Sequence, residues 1–318
     1  MAIYNAYDAI GQREDLTDII YDISPTTTPF MSSIGKSKAT AVFHEWQTDS
    51  LAAATTNNAA VEGADASDAT LSPTTRLGNY TQILQKTIKV SGTLDSVNKA
   101  GRKSEKAYQL AKASQELKRD LETILLANQG RSAGTTNSTA RKMGSLLSWI
   151  KTNSSVQTNG GDPTTIGVST RTDGNTRTFT ETLLKEVVAE VFASGGTPKI
   201  LMVGATGKQK VSSFTGLSAY RYNVNAGGGG GQATIVGAAD VYLSDFGSMS
   251  VVPNIFMRTR DALVLDPEYA AIAYLRPFQT NELAKAGDAD KTQILVECTL
   301  EVKNEAAHGI VADLNMAL

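Results

Sequence analysis

The chain of 318 residues has one cysteine, Cys298, and two histidines, His44 and His308. A single cysteine excludes an internal disulfide and a thiolate metal cluster. Two histidines far apart, with no clustered partners, argue against a histidine-based zinc site. There is no excess of positive charge: 30 Lys and Arg stand against 32 Asp and Glu, a net charge of −2. That argues against sequence-specific nucleic-acid binding, which needs cations to neutralise phosphates. No window reaches the run of about 18 apolar residues that a membrane-spanning helix requires. The N-terminus, MAIYNAYDAIGQREDL, lacks the basic flank and apolar run of a signal peptide, and a reducing compartment is expected. No period of about 20–50 residues repeats, which excludes a solenoid or propeller. What is present is ordinary for a globular protein, 41% hydrophobic and 19% charged, at a length for one large or two ordinary domains.

The strongest local signal lies in residues 94–129. Leu110, Leu117, Leu121 and Ile124 share one face at a period near 3.6, and Ala107, Ala111 and Leu125 widen the stripe. Lys112 with Glu116 and Lys118 with Glu122 sit at i,i+4 on the other face. Thr93 is the expected cap, Gly130 the stop, and Gly101 a break that leaves Lys103–Asn128 as one helix, roughly 39 Å long at 1.5 Å per residue. A stripe this narrow suits a helix lying across a sheet.

Residues 1–37 read as an arm: a short helix around REDLTDIIYDI (Ile10, Leu16, Ile19, Ile20), then an extended ISPTTTPF directed by Pro25 and Pro29. Its apolar residues need a surface on its own domain or on a neighbouring subunit. Residues 38–90 read as two strands around a long tip. KATAVFHEWQTDSL goes out; NYTQILQKTIKV returns, with Tyr80, Leu84, Ile88 and Val90 opposite Thr81, Gln85 and Lys89. The tip, AAATTNNAAVEGADASDATLSP, is small and polar, far longer than the usual hairpin loop of about 2–5 residues. Such a protrusion is either mobile or ordered by another chain.

Residues 130–178 are loop-rich around one apolar island, MGSLLSWI, whose Leu146 and Trp149 should plug into a core. A second helix follows, with Thr178 and Glu181 at capping-box spacing, a stripe of Leu183, Leu184, Val187, Val188, Val191 and Phe192, and Gly195 at its end. Next come a buried strand, KILMV, and a helix, TGKQKVSSF. Beyond the run Gly227, Gly228, Gly229, Gly230, Gly231 the chain is mostly strand. In QILVECTLEV, Ile294, Val296, Cys298, Leu300 and Val302 share a face that Gln293, Glu297, Glu301 and Lys303 do not. This strand and the long helix should pack together, with an α+β body inserted between them.

No constellation here carries a reaction. VGATGKQ (203–209) lacks the spacer of a phosphate loop and has Gln209 where a Mg²⁺-binding Ser or Thr belongs, so it reads as a helix-opening turn. DFG (245–247) has no kinase context and reads as a turn. The glycine run lacks ordered G-x-G-x-x-G spacing and reads as a flexible loop. Cys298 is mid-strand on an apolar face, a buried structural thiol. His44 and Glu45 are strand neighbours on opposite faces, and His308 has no visible partner. Asp288 and Asp290 lack the further ligands of a calcium loop. Catalytic, cofactor and metal residues are therefore all assigned as none.

Several segments in fixed order resemble the major capsid proteins of tailed bacteriophages, which share the Hong Kong 97-type fold. They are DISPTTTPFMSSIGKSKAT (22–40), EWQTDSLAAA (45–54), AYQLAKASQELKRDLETILLANQ (107–129), DFGSMSVVPN (245–254) and LRPFQTNELAKAGDADKTQILVECTLEVKNEAAHGI (275–310). The resemblance implies an α+β fold divided into an N-terminal arm (1–37), an E-loop or extended β-hairpin (38–90), a P-domain with the spine helix (91–179), an A-domain facing the capsomer axis (180–275) and a return to the P-domain (276–318). It implies a structural protein, not an enzyme, that self-assembles as a homo-oligomer of hexamers and pentamers into an icosahedral shell around phage dsDNA. A virion location, assembly in the bacterial host cytoplasm, no cofactor and no membrane follow. The expected partners are a portal and separate scaffolding or decoration proteins; the arm's start near Met1 leaves no attached scaffold, and the expected shell is noncovalent.

A near-neutral chain suits a wall that lies close to packaged DNA without gripping it. Arm and protrusion, unable to satisfy themselves, should drape over neighbours through Pro25, Pro29, Phe30, Trp46, Leu51, Val61 and Leu71. The glycine run would let one loop take different shapes in non-equivalent subunits. The rivals are the shell of a cellular nanocompartment with the same fold, a minor virion or decoration protein, and an enzyme binding nucleotide at 203–209. A shift of thermal unfolding by ATP or NAD would favour the last.

Overall fold

The computed structural model describes residues 25–316, apart from 64, 66–67, 98–100, 102, 136–137, 215–239 and 286. The expected arm helix around 13–23 and the glycines 227–231 lie outside the described residues. In order, the elements are α1 (Pro29–Ser33), β1 (Gly35–Lys38), β2 (Phe43–Thr48), β3 (Thr75–Tyr80), β4 (Gln82–Ser91), α2 (Gly92–Ser96), α3 (Glu105–Leu125), α4 (Leu146–Trp149), β5 (Ser154–Ser155), β6 (Arg177–Thr178), α5 (Glu181–Ala193), β7 (Ile200–Val203), α6 (Ala205–Ser212), β8 (Val241–Ser244), β9 (Gly247–Pro253), β10 (Ala262–Leu265), β11 (Ala270–Leu283), β12 (Ala289–Val302), β13 (Gly309–Val311) and β14 (Leu314–Asn315).

Two sheets organise them. The first has the order β1-β11-β12-β4, the second β5-β13-β10-β7-β9-β8. β2 pairs with β3 alone, and β6 with β14. The helix α3 lies on the first sheet. Its Leu117, Leu121 and Leu125 are buried with Ile294, Val296, Cys298, Leu300 and Val302 of β12, joined by Met143, Leu146, Leu147, Trp149 and Ile150. Each fully buried side chain of this size contributes roughly 1.5–3 kcal/mol. The second core sets Leu184, Val187, Val188 and Val191 of α5 against one face of the second sheet. That sheet is apolar on both sides: Leu201 and Val203 face α5's core, while Met202 joins the first. A strand buried on both faces reads as the unbroken run KILMV.

Several expectations need correction. α3 is capped by Ser104, whose hydroxyl accepts from the Ala107 N–H at 3.3 Å, and it ends at Leu125, well before Gly130. Thr93 lies inside α2, a separate short helix; Gly101, at φ +75°, stands between the two. Gly130 is required for another reason: a Cβ there would collide with the Val168 carbonyl. Ala107 and Ala111 are exposed, so the buried stripe of α3 is Ala113, Leu117, Leu121 and Leu125. Lys118 and Glu122 form no surface pair, because Glu122 is fully buried. Glu116 pairs with Lys86 of β4 at 2.9 Å.

The expected returning strand is two strands. Thr75–Tyr80 closes the hairpin with β2, and Gln82–Ser91 leaves it to pair with β12 from Gln82↔Cys298 to Ser91↔Ala289. Thr178 lies in β6; α5 starts after Thr180 with no side-chain cap, so the capping box does not form. The C-terminal stop is Gly195 at φ +86°. Pro29 opens the helix α1 instead of extending the chain. Gly35–Lys38 then pairs in parallel with β11, so the last part of the arm belongs to the body. The sheets also cut across the expected segment boundaries: β5 and β13 belong to the second sheet, and β11 joins the first from Ala270.

Candidate assembly interface

The hairpin of β2 and β3 pairs Phe43↔Tyr80 through Thr48↔Thr75, and every described residue from 49 to 74 beyond it is exposed. Small polar residues with no β-branched alternation give that stretch nothing to pack. Its three large apolar side chains, Leu51, Val61 and Leu71, are 98%, 79% and 88% exposed. Leaving three such groups in water has a cost that contact with another surface would remove.

The root of the protrusion is, by contrast, fixed on all sides. Phe43 and Tyr80 pack ring to ring with centroids 4.6 Å apart. The Arg131 guanidinium lies over the Phe43 ring, 5.2 Å from its centre, and donates to the Gly78 carbonyl. A Cβ at Gly78 would stand 2.7 Å from the Phe43 ring, so any larger residue there would displace that ring. Buried Asn79 donates through Nδ2 to the carbonyls of Gly144 (3.0 Å) and Leu300 (2.8 Å) and accepts from the Gly144 N–H at 2.8 Å. The side chain thus ties the hairpin to the 143–150 island and to β12.

Where the chain turns from β3 into β4, Thr81 donates its hydroxyl to Glu297 Oε1 at 2.9 Å. The same buried carboxylate accepts from Arg141 Nη2 (2.8 Å) and Arg276 Nε (2.7 Å). Two guanidinium groups around one buried carboxylate satisfy its charge, the condition for a stabilising buried ion pair. Arg276 lies at the register irregularity of β11, between Tyr274 and Gln279.

A second buried carboxylate fixes the arm. Glu122 accepts from the N–H groups of Phe30 (2.7 Å) and Met31 (2.9 Å) and from Asn254 Nδ2 (2.7 Å). The first two are unpaired amides at the start of α1, where a carboxylate is favoured. Burial pushes the Glu122 carboxyl above its usual range, opposed by these three hydrogen bonds. Glu122 therefore joins α1, α3 and the segment after β9 in one place.

The predicted contact residues divide accordingly. Leu51, Val61 and Leu71 all lie on the exposed stretch beyond the hairpin. Phe30 is 1% exposed and packs in the chain's own first core, so it is not free to contact a neighbour. Pro25 and Pro29 are half-buried beside it. Trp46 is half-buried against the first core, its ring centroid 5.2 Å from that of Trp149. Sequence reasoning missed Asn79, Arg131, Glu122 and Glu297, which hold the protrusion and the arm. Glu297 alone carried a signal, a carboxylate inside an otherwise apolar strand.

The residues weighed for chemistry sit as follows. Gly204 precedes α6, and Lys208 Nζ donates to Asp240 (3.0 Å) and to the Val251 carbonyl (2.6 Å). Asp245 and Phe246 form the turn between β8 and β9. Cys298 is buried, its thiol pushed up to about 12 by desolvation. His44 lies 3.4 Å from Glu301 and Glu45 2.8 Å from Arg76. His308 is buried, with Nδ1 accepting from the Asp266 N–H at 3.4 Å, and desolvation lowers its pKa to about 4. Asp290 pairs with Lys285 at 2.6 Å. Among the described residues no three His, Cys, Asp or Glu side chains gather in a metal-binding group, and no helix is long and apolar enough to cross a membrane.

A protein-family model described as SU10 major capsid protein matches residues 3–315 of this chain. The major capsid protein of Escherichia phage Phieco32 is 43% identical over 129 residues, covering 41% of this chain and 37% of that protein. The match thus spans little more than a third of that relative's length. Among solved structures, the cyanophage A-1(L) capsid asymmetric unit aligns with a TM-score of 0.64 at 11% identity, over 95% of this chain and 97% of that one. The capsid of a native GTA particle aligns at 0.61 and 12% identity over 98% of both chains. The holo-SrpI encapsulin complex from Synechococcus elongatus aligns at 0.56 and 10% identity, over 100% of this chain and 98% of that one. At these identities the structural likeness speaks for the fold alone.

Proposed function

The chain belongs to the SU10 major capsid protein family, and from that premise we propose that it is the repeating unit of an icosahedral phage shell around dsDNA. The role is structural, in the virion, with assembly in the host cytoplasm. The observation that carries the reading is the protrusion: an apolar-tipped stretch that buries nothing on its own chain, mounted on a root held by Asn79, Arg131 and Glu297. A rigid root with an unsatisfied tip suits an intersubunit strap, whose modest contact becomes cooperative when repeated around a closed symmetric assembly.

In that reading residues 43–80 carry the E-loop, α3 is the spine helix of the P-domain, and the first sheet is the P-domain sheet. The second sheet and α5 form the A-domain, facing the axis of hexamers and pentamers. The arm's root, from Pro29, belongs to the P-domain. A portal, and separate scaffolding or decoration proteins, are the proposed partners. The glycine run 227–231 is proposed as a loop that adapts between non-equivalent positions. The fold likeness to an encapsulin keeps a cellular compartment as a second reading; the family match favours the phage shell.

Size-exclusion chromatography and negative-stain microscopy of the purified chain test the proposal. Closed shells or capsomers are expected. A monomer under all assembly conditions would contradict it.

A further inference from the structure

A groove runs between α1, α3 and the irregular part of β11. Its floor is apolar, with Met31, Tyr274 and Phe278, and Ser114 of α3 lines its side. Phe278 stands inside the register irregularity of β11, after Pro277, which has no N–H to give to the ladder. Lys36 and Lys118 stand at the rim, both exposed, and among the described residues neither has an ion-pair partner. The carboxylates nearest to Lys118 along α3 are engaged elsewhere: Glu116 and Asp120 both pair with Lys86, and Glu122 is buried. The wall opposite α3 is α1, which Glu122 holds through the Phe30 and Met31 N–H groups.

The stretch beyond the hairpin of β2 and β3 is the chemical complement of this groove. Every described residue from 49 to 74 is exposed, so on its own chain the stretch is seated nowhere. Val61 and Leu71 hold apolar side chains in water, and Glu62, Asp65 and Asp68 lie between them. No Lys, Arg or His occurs from 49 to 75, so the charge of the stretch is of one sign. Apolar side chains anchor in apolar pockets, and complementary charge fixes orientation and rejects wrong surfaces. An acidic stretch with two apolar anchors matches an apolar floor rimmed by lysines on both counts. Reach is sufficient. Doubled back on itself, the stretch extends up to roughly 45 Å from Thr48, more than the roughly 32 Å length of α3.

We propose that the groove between α1, α3 and β11 receives the protrusion of a second copy of this chain, with Val61 and Leu71 on its floor and Glu62, Asp65 and Asp68 beside Lys36 and Lys118. The inference rests on the reading of the protrusion as a strap between subunits and adds the surface that takes it. Because α1 is one wall, the acceptor is complete only while Glu122 holds α1 in place. Docking of the arm's root on one subunit thus prepares the seat for its neighbour's strap.

The test is disulfide trapping between two full chains carrying tags of different length, in which native Cys298 is buried. One chain carries Thr70→Cys in the protrusion. The other carries Ser114→Cys in the groove or, as control, Thr123→Cys, which is exposed on the same helix. After co-assembly, oxidation should give the mixed dimer with Ser114→Cys and little with Thr123→Cys. Lys118→Glu on the Ser114→Cys chain should slow trapping about two- to fivefold, as for loss of an exposed ion pair, and Asp68→Lys on the Thr70→Cys chain should restore it. Equal trapping at positions 114 and 123, or none at either, overturns the proposal. So does a cross-link within one chain when Thr70→Cys and Ser114→Cys are combined in it and diluted below assembly. Size exclusion separates the two failures: shells or capsomers without the cross-link remove the groove alone, whereas a chain that stays monomeric removes the strap reading with it. Unfolding midpoints of the unoxidised variants should match the parent, since the substituted positions are exposed or half-buried.

Discussion

The Trp46 ring lies 5.2 Å from that of Trp149, inclined by 41°. Trp46 belongs to β2, the outgoing strand of the protrusion; Trp149 is fully buried in α4, at the centre of the first core. The pair joins the first core to the base of the exposed protrusion.

Trp149→Ala should cost roughly 3–5 kcal/mol, the value for emptying a fully buried aromatic site. Trp46→Ala should cost less, being only half-buried. A double-mutant cycle in urea should return a coupling of about 0.5–1.5 kcal/mol for the ring contact. Strict additivity would mean that the protrusion is not braced through this pair.

Glu122→Gln should destabilise the subunit by about 1–3 kcal/mol. The carboxylate accepts from Phe30 and Asn254 at one oxygen and from Met31 at the other; the amide keeps one acceptor oxygen and turns its N–H₂ toward the donor or donors at the second position. Limited proteolysis between 25 and 29 should speed up in the same variant. Unchanged stability and cleavage would remove Glu122 as the anchor of the arm.

Burial gives two groups opposite pH effects. His308, lowered to about 4, takes up a proton less readily folded than unfolded. Its contribution is intact above about pH 6.5 and is lost as pH falls toward 4, up to roughly 3 kcal/mol. Asp261, raised to about 6 by desolvation, holds its proton more readily when folded. Acidification through pH 6 therefore adds stability, complete below the ordinary carboxylate value. Urea titrations from about pH 7 to about pH 4.5 should show His308→Asn losing less stability on acidification than the parent, and Asp261→Asn losing more. Parallel curves for all three would contradict both assignments.

The elements legible in the chain were those with long one-sided patterns: β12, α3 and α5 carry apolar repeats of the right period, and the 143–150 island is apolar with little around it to compete. What stayed hidden depended on distant partners. Lys118 and Glu122 have the spacing of a surface pair, but the unpaired amides of α1 take the carboxylate inward. Thr75–Tyr80 has weak alternation, and its pairing follows from β2; the continuous polar-apolar pattern of 80–90 concealed the point at Thr81 where one strand ends and another begins. Phe30 looked like an arm residue because α1 is too short to show a period. At the candidate interface the exposed tip was legible from its composition, whereas Asn79, Arg131 and Glu297 act through contacts far along the chain.

The most direct test of the account replaces Leu51, Val61 and Leu71 together by serine. All three are exposed, so the unfolding free energy should stay within about 0.5 kcal/mol of the parent. Negative-stain microscopy and size exclusion of this variant should show folded subunits or capsomers and few closed shells. Normal shells at the parent's yield would contradict the assignment of the protrusion as the strap between subunits.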